Sequence, residues 1–228
     1  MLTESDELHG LMKRIKTELR LSMNGMASAS MREKGLDYKI IFGVEIPRLQ
    51  LIASEFGKDH ELAQALWKED IRECKILAMM LQPVDSFYPE IADIWVESMK
   101  YPELAQMASL YLFQYLPYAP TKALEWIASD SRMKRFCGFS LYSRLWKRYN
   151  EWKPAAGDEF LDQAVTALEE DDKLLRTAAA KAWDSYIARN RATARKSMEI
   201  LKAIPTGDDE DLKARVELLM DSAALALE

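Results

Sequence analysis

Arg144, Lys147 and Arg148 stand at i, i+3 and i+4, a spacing that gathers three cations on one side of a helix. Groups arranged this way neutralise phosphates and release their counterions, so the stripe suits a polyanion. On another side of the same stretch, Arg135, Phe139, Tyr142 and Trp146 fall at i, i+4, i+7 and i+11. An aromatic stripe at that spacing is more often core than a platform for bases. Arg176, Lys181 and Arg189, with Trp183 and Tyr186, form a second mixture of cations and rings. Residues 131–153 carry a balance of +6 and residues 173–202 another +6; the whole chain is −6, which leaves −18 for the rest. Such asymmetry hints at an anionic partner, with solvated helix faces as the plain alternative.

Other chemistries lack their residues. The two histidines, His9 and His60, are not spaced as metal ligands, and His60 follows Asp59 at a predicted helix start, where capping or surface duty is expected. No G-x-G-x-x-G, Walker or G-x-S-x-G pattern occurs. The acidic runs Glu169–Asp172 and Asp208–Asp211 precede predicted helices, where their charge complements the helix dipole. Cys74 and Cys137 suit a reducing compartment and cannot build a metal site alone. No cofactor, metal or catalytic residue is implied.

These groups must be positioned by helices. The 228 residues are 49% hydrophobic and 30% charged, a globular balance, and eight Gly with eight Pro are too few for an all-β fold. The longest apolar runs, such as Ile76–Leu81, are far shorter than the roughly 20 residues of a bilayer span. No signal-peptide pattern opens the chain, so a cytoplasmic protein with no membrane partner is expected. Apolar positions recur at helical spacing, as in Leu62, Ala65, Leu66, Cys74, Leu77, Ala78 and Leu81, with Asp59 and Asp70 as expected N-caps. The pattern predicts twelve helices, at 4–27, 47–56, 60–69, 71–82, 87–98, 102–116, 121–128, 131–149, 157–169, 173–188, 191–203 and 209–227. Short helices joined by short turns read as stacked pairs, because a pair cannot bury its inner face alone. The expected fold is all-α, a HEAT-like α-solenoid of about six helix pairs in one domain, 1–228, with a compact bundle as the alternative.

Three stretches resemble the AlkD-like DNA alkylation repair family, DNA glycosylases built from HEAT-like repeats. Phe42-Gly43-Val44-Glu45-Ile46-Pro47-Arg48 is similar to the family's lead-in to its second repeat. Glu61–Trp67, followed by Ile71-Arg72-Glu73 and Leu77-Ala78, resembles its "L-W … E … A" helix pair. Trp126–Asp130 with Lys134-Arg135 resembles the turn before the family's arginine. The resemblance runs from about residue 20 to 205. It implies a concave cationic groove holding double-stranded DNA, and removal of cationic alkylated purines without flipping the base into a deep pocket. There an aspartate stabilises the developing oxocarbenium ion or positions water, beside aromatics on the backbone. Carried over position by position, the family's first tryptophan falls on Tyr101 and its aspartate on Ala105. Its arginine falls on Arg135 after a one-residue deletion, and its last tryptophan on Lys181, two residues from Trp183.

The expected nucleic-acid contacts are therefore Tyr101, Arg135, Arg144, Arg148, Lys181, Trp183 and Arg189. The implied function is duplex-DNA binding in a DNA alkylation repair-type protein. Excision by N-glycosidic hydrolysis stays open, because the carboxylate position is Ala105 and Glu103 is the nearest acid. The alternative is a catalytically inactive helical-repeat scaffold with a protein partner.

Overall fold

The computed structural model describes residues 4–149 and 154–228. Lys153 and Glu151, counted in the first basic segment, lie outside the described residues. Packing groups the chain into two compact units, Met1–Ala92 and Asp93–Glu228.

The first unit holds α1 (Glu4–Leu21), α2 (Gly25–Glu33), α3 (Ile46–Phe56), α4 (His60–Lys68) and α5 (Arg72–Leu81). The expected helix 4–27 is two helices. Asn24 adopts an extended backbone and its side chain accepts from the Ala27 N–H, starting α2 afresh. Asp59 caps α4 as expected, accepting from Leu62 N at 2.9 Å. Asp70 does not cap α5: Ile71 holds that position, while the Asp70 carboxylate accepts from Lys39 N at 3.1 Å. That contact accompanies a parallel bridge between Ile40 and Ile71, the point at which the chain before α3 meets the start of α5.

The lead-in Phe42–Arg48 is held by a buried carboxylate. Glu73 is fully buried and accepts from Phe42 N and Gly43 N, each at 3.0 Å, and from Arg72 Nη1 at 3.2 Å. Gly43 has φ of +73°, and a Cβ there would stand 2.3 Å from Asn24 O, so glycine is the residue that fits. Arg48 donates to Ser22 Oγ and Glu18 Oε2, tying α3 to the end of α1. This motif is architecture.

After α6 (Pro89–Glu97), the second unit holds α7 (Pro102–Tyr111), a 3₁₀ turn (Phe113–Tyr115), α8 (Ala119–Ile127), α9 (Arg132–Arg148) and α10 (Pro154–Glu169). Then come α11 (Lys173–Ile187), α12 (Arg191–Leu201) and α13 (Glu210–Leu227). Proline opens α10 at Pro154, three residues before the expected start, because a first-turn residue needs no N–H partner. The pairs are α8 with α9, α10 with α11, and α12 with α13, and the second members stand side by side in the order α7, α9, α11, α13. Gly138 lets α9 close on α8, since a Cβ there would lie 2.7 Å from Ile127 Cγ2.

The core of this unit is aromatic. Tyr142 stacks on Trp146 at 5.1 Å, and Phe160 and Tyr186 meet Trp146 edge-on at 5.2 and 5.0 Å. The stripe Phe139–Tyr142–Trp146 is buried throughout, as its spacing suggested. Each such ring contributes on the order of 2 kcal/mol by leaving water. Beside it, Trp126 Nε1 donates to Asp93 at 2.7 Å, and Asp93 also pairs with Lys122 at 2.7 Å. Among the described residues no helix is long and apolar enough to cross a membrane.

Candidate nucleic-acid interface

α9 and α11 run side by side in the same direction: residues 136–144 face 174–181, and residues 146–149 face 185–190. The cations along this seam divide by position. At the N-terminal end Arg132, Lys134, Arg135 and Arg176 are consumed by the fold, while Lys173 is exposed. Arg132 pairs with Asp172, which also caps α11 through the N–H groups of Leu174 and Leu175. That pair holds the Asp172 carboxyl down at about 2, the Arg132 hydrogen bond being the main cause. Lys134 meets Glu97 at 2.7 Å and Arg135 meets Glu170 at 2.6 Å. Arg176 is buried, with its guanidinium on Asp209, Asp211 and the Glu170 carbonyl. The two acidic runs thus stand at helix N-termini, as expected; beyond that, Asp172 and Asp209 cap the helices and the runs hold arginines.

Further along the seam four cations are unspent. Among the described residues Arg144, Lys147, Arg148 and Lys181 make no ion pair. Lys147, Arg148 and Lys181 are exposed and Arg144 is half-buried. Arg148 lies over the ring of Tyr115 at 4.6 Å, which steadies the guanidinium and leaves its charge in water. Cations near a helix C-terminus also complement the dipole, so their presence needs no ligand to be stable. Exposed Asp184, three residues after Lys181, borders the patch.

Between α7, α9 and α11 lies an open depression of about 350 Å³. Gln106 and Met107 reach it from α7; Phe136, Ser140, Ser143 and Arg144 from α9; Leu174, Thr177, Ala178 and Lys181 from α11. Phe136, Ser143 and Ala178 are buried in it, Met107, Ser140, Arg144 and Leu174 are half-buried, and Gln106, Thr177 and Lys181 are exposed. The hydroxyls of Ser143 and Thr177 donate to carbonyls of their own helices, at Ser140 O and Lys173 O. Ser140 Oγ and the Gln106 amide have no hydrogen bond to the described residues. Burial pushes the Tyr111 hydroxyl up, and nearby Arg144 works against that shift.

Three expected contacts change role. Trp183 is fully buried and its Nε1 donates to Ser197 Oγ at 2.9 Å, so the ring belongs to the core and cannot stack on a ligand. Arg189 closes the C-terminus of α9, donating to the carbonyls of Trp146 and Tyr149 at 2.9 and 2.7 Å, with its guanidinium 5.1 Å from the Trp146 ring. Burial lowers its pKa from the ordinary arginine value. Arg135 is 14% exposed and engaged with Glu170. Tyr101 is the half-buried N-cap residue of α7, at the opposite end of that helix from Arg144's neighbour Tyr111. Arg144, Arg148 and Lys181 remain at the open end, joined by Lys147. What marks them is the absence of acid partners among the described residues; the acids that engage Arg132, Lys134, Arg135 and Arg176 sit 33 to 40 residues away in sequence.

Ala105, the position of the family's carboxylate, is fully buried inside α7. Glu103 lies in the first turn of that helix, three residues before Gln106 and therefore on the same side. Cys74 and Cys137 are buried free thiols; burial, with Glu69 adding to it, pushes Cys74 up to about 12. His60 follows the α4 cap and shares the buried Gln82 amide at 3.0 Å, a structural post.

No curated protein matches the sequence. A solved structure described as "a new family of proteins related to the HEAT-like repeat DNA glycosylases with affinity for branched DNA structures" superposes with a TM-score of 0.79. It shares 17% identity and covers 95% of this chain and 96% of its own. That likeness establishes the fold, an all-α HEAT-like helical repeat. The sequence pattern of the family described as DNA alkylation repair enzyme matches residues 15–200. With most of its length matched, the chain belongs to the DNA alkylation repair enzyme family.

Proposed function

We propose that this protein binds the phosphate backbone of duplex DNA along the α9–α11 seam without excising a base. The observation that carries the reading is the partition of charge. Arg132, Lys134, Arg135 and Arg176 are all neutralised by acids of the fold, whereas Arg144, Lys147, Arg148 and Lys181 have no acid partner among the described residues. Unpaired cations at a shared edge give sequence-independent attraction to a polyanion, through counterion release. The affinity for branched DNA stated for the structural neighbour fits binding of this kind.

The reading without excision is supported by α7. Substituting a carboxylate for buried Ala105 would place a charge in the core, away from any bound backbone. A cationic purine is a good leaving group, and a carboxylate facing the sugar would speed its departure. Glu103 is the acid of α7 on the side of the depression.

Fluorescence anisotropy with a labelled duplex tests the binding. Affinity should be measurable at low salt and fall steeply as salt rises; no binding even at low salt would refute it. Incubation with methylated DNA tests the chemistry. The expected result is no release of 7-methylguanine or 3-methyladenine above buffer. Release that disappears in Glu103→Gln would replace this reading with an active glycosylase.

A further inference from the structure

We propose that the depression between α7, α9 and α11 receives one unpaired nucleotide of the bound DNA, its base on the apolar floor and its phosphate on Arg144 and Lys181. This rests on the DNA-binding reading above and adds the class of DNA that the face prefers. A backbone alone would need cations and donors. It would gain nothing from Met107, Phe136, Leu174 and Ala178, which line the depression beneath those cations. The volume, about 350 Å³, is within the range of pockets that take a small organic ligand, on the order of 300–1,000 Å³.

A stacked, paired base has its faces covered and cannot reach such a floor. A base already outside the stack can enter without the cost of unpairing. The rim suits its edge: Ser140 Oγ and the Gln106 amide, free of protein hydrogen bonds among the described residues, offer both donor and acceptor. Arg144 reaches the depression from the middle helix, α9, and Lys181 from α11 beside it, so a phosphate attached to that nucleotide has two cations at hand.

The test compares three labelled DNAs of equal length: a perfect duplex, one with a single bulged nucleotide, and one with an abasic analogue in the bulge. The bulged and abasic duplexes share backbone shape and charge, so their difference reports the base. Wild type should bind the base-bearing bulge about tenfold more tightly than the abasic one, the size expected for docking one base against side chains. Thr177→Trp fills the mouth of the depression from an exposed position and leaves every charge in place. It should bring that ratio to about one, with helicity by circular dichroism confirming the fold. Equal affinity of wild type for the two bulges would overturn the inference and leave duplex binding intact. A preference that survives in Thr177→Trp would overturn it by placing the base elsewhere. Failure to bind any of the three DNAs at low salt would overturn both readings.

Discussion

Removing two of the four unspent cations should change the salt dependence of DNA binding by an amount that can be stated beforehand. If Arg144, Lys147, Arg148 and Lys181 each neutralise one phosphate, log K falls with log salt at a slope of about −3.6, taking roughly −0.9 per contact. Between about 50 and 200 mM salt the affinity then drops ~150-fold. The double variant Arg144→Gln/Lys181→Gln keeps two contacts, a slope of about −1.8 and a drop of only ~12-fold over the same range. Arg135→Gln is the control: its guanidinium already has Glu170 as counterion at 2.6 Å, so it releases nothing on binding, and its slope should equal wild type. The assay is anisotropy with one duplex at four salt concentrations. The reasoning fails if the double variant keeps the wild-type slope, or if Arg135→Gln flattens it equally.

The remaining predictions concern the framework. Glu73→Ala leaves the Arg72 guanidinium buried beside two unpaired backbone N–H groups, and should cost about 3–5 kcal/mol in urea unfolding. Gly43→Ala puts a Cβ against Asn24 O and Ser28 N at a left-handed φ; a stability loss of at least ~1 kcal/mol is expected by the same assay. Trp183→Phe loses the bond to Ser197 and should lower stability by about 1–3 kcal/mol while leaving the DNA salt slope alone. Asp172→Asn keeps a helix cap but loses the charge paired with Arg132. Because the folded carboxyl sits at about 2, below an unfolded value of ~3.9, its contribution is fully present above pH ~4 and fades toward pH 2. The stability gap between Asp172→Asn and wild type should therefore narrow over that interval; a constant gap would contradict the assignment.

Much of the framework could be read from the chain. Helical periodicity and the breakers located most helices, and Asp59 is a cap because a short acid before an apolar-periodic run satisfies orphan N–H groups. The split after α1 was missed because Asn24-Gly25 interrupts the polarity pattern for only three residues. Asp70 looked like a cap because its local sequence allows one, but a bond to Lys39 takes its carboxylate. The site was less legible, for a physical reason. Whether an arginine is free depends on acids distant in sequence: Arg135 and Arg144 share one helix, yet Glu170 closes on the first and no acid among the described residues closes on the second. Trp183 looked available beside Lys181, but two residues on a helix turn it about 200° away, into the core against Ser197.

Lysine footprinting with and without saturating duplex DNA at low salt tests the central claim most directly. Lys147 and Lys181 should lose reactivity toward an amine-modifying reagent when DNA is added, while Lys58, whose Nζ is bound to the Met80 carbonyl in the first unit, stays unchanged. Undiminished labelling of Lys147 and Lys181 under conditions where anisotropy shows the DNA bound would place the interface elsewhere on the protein.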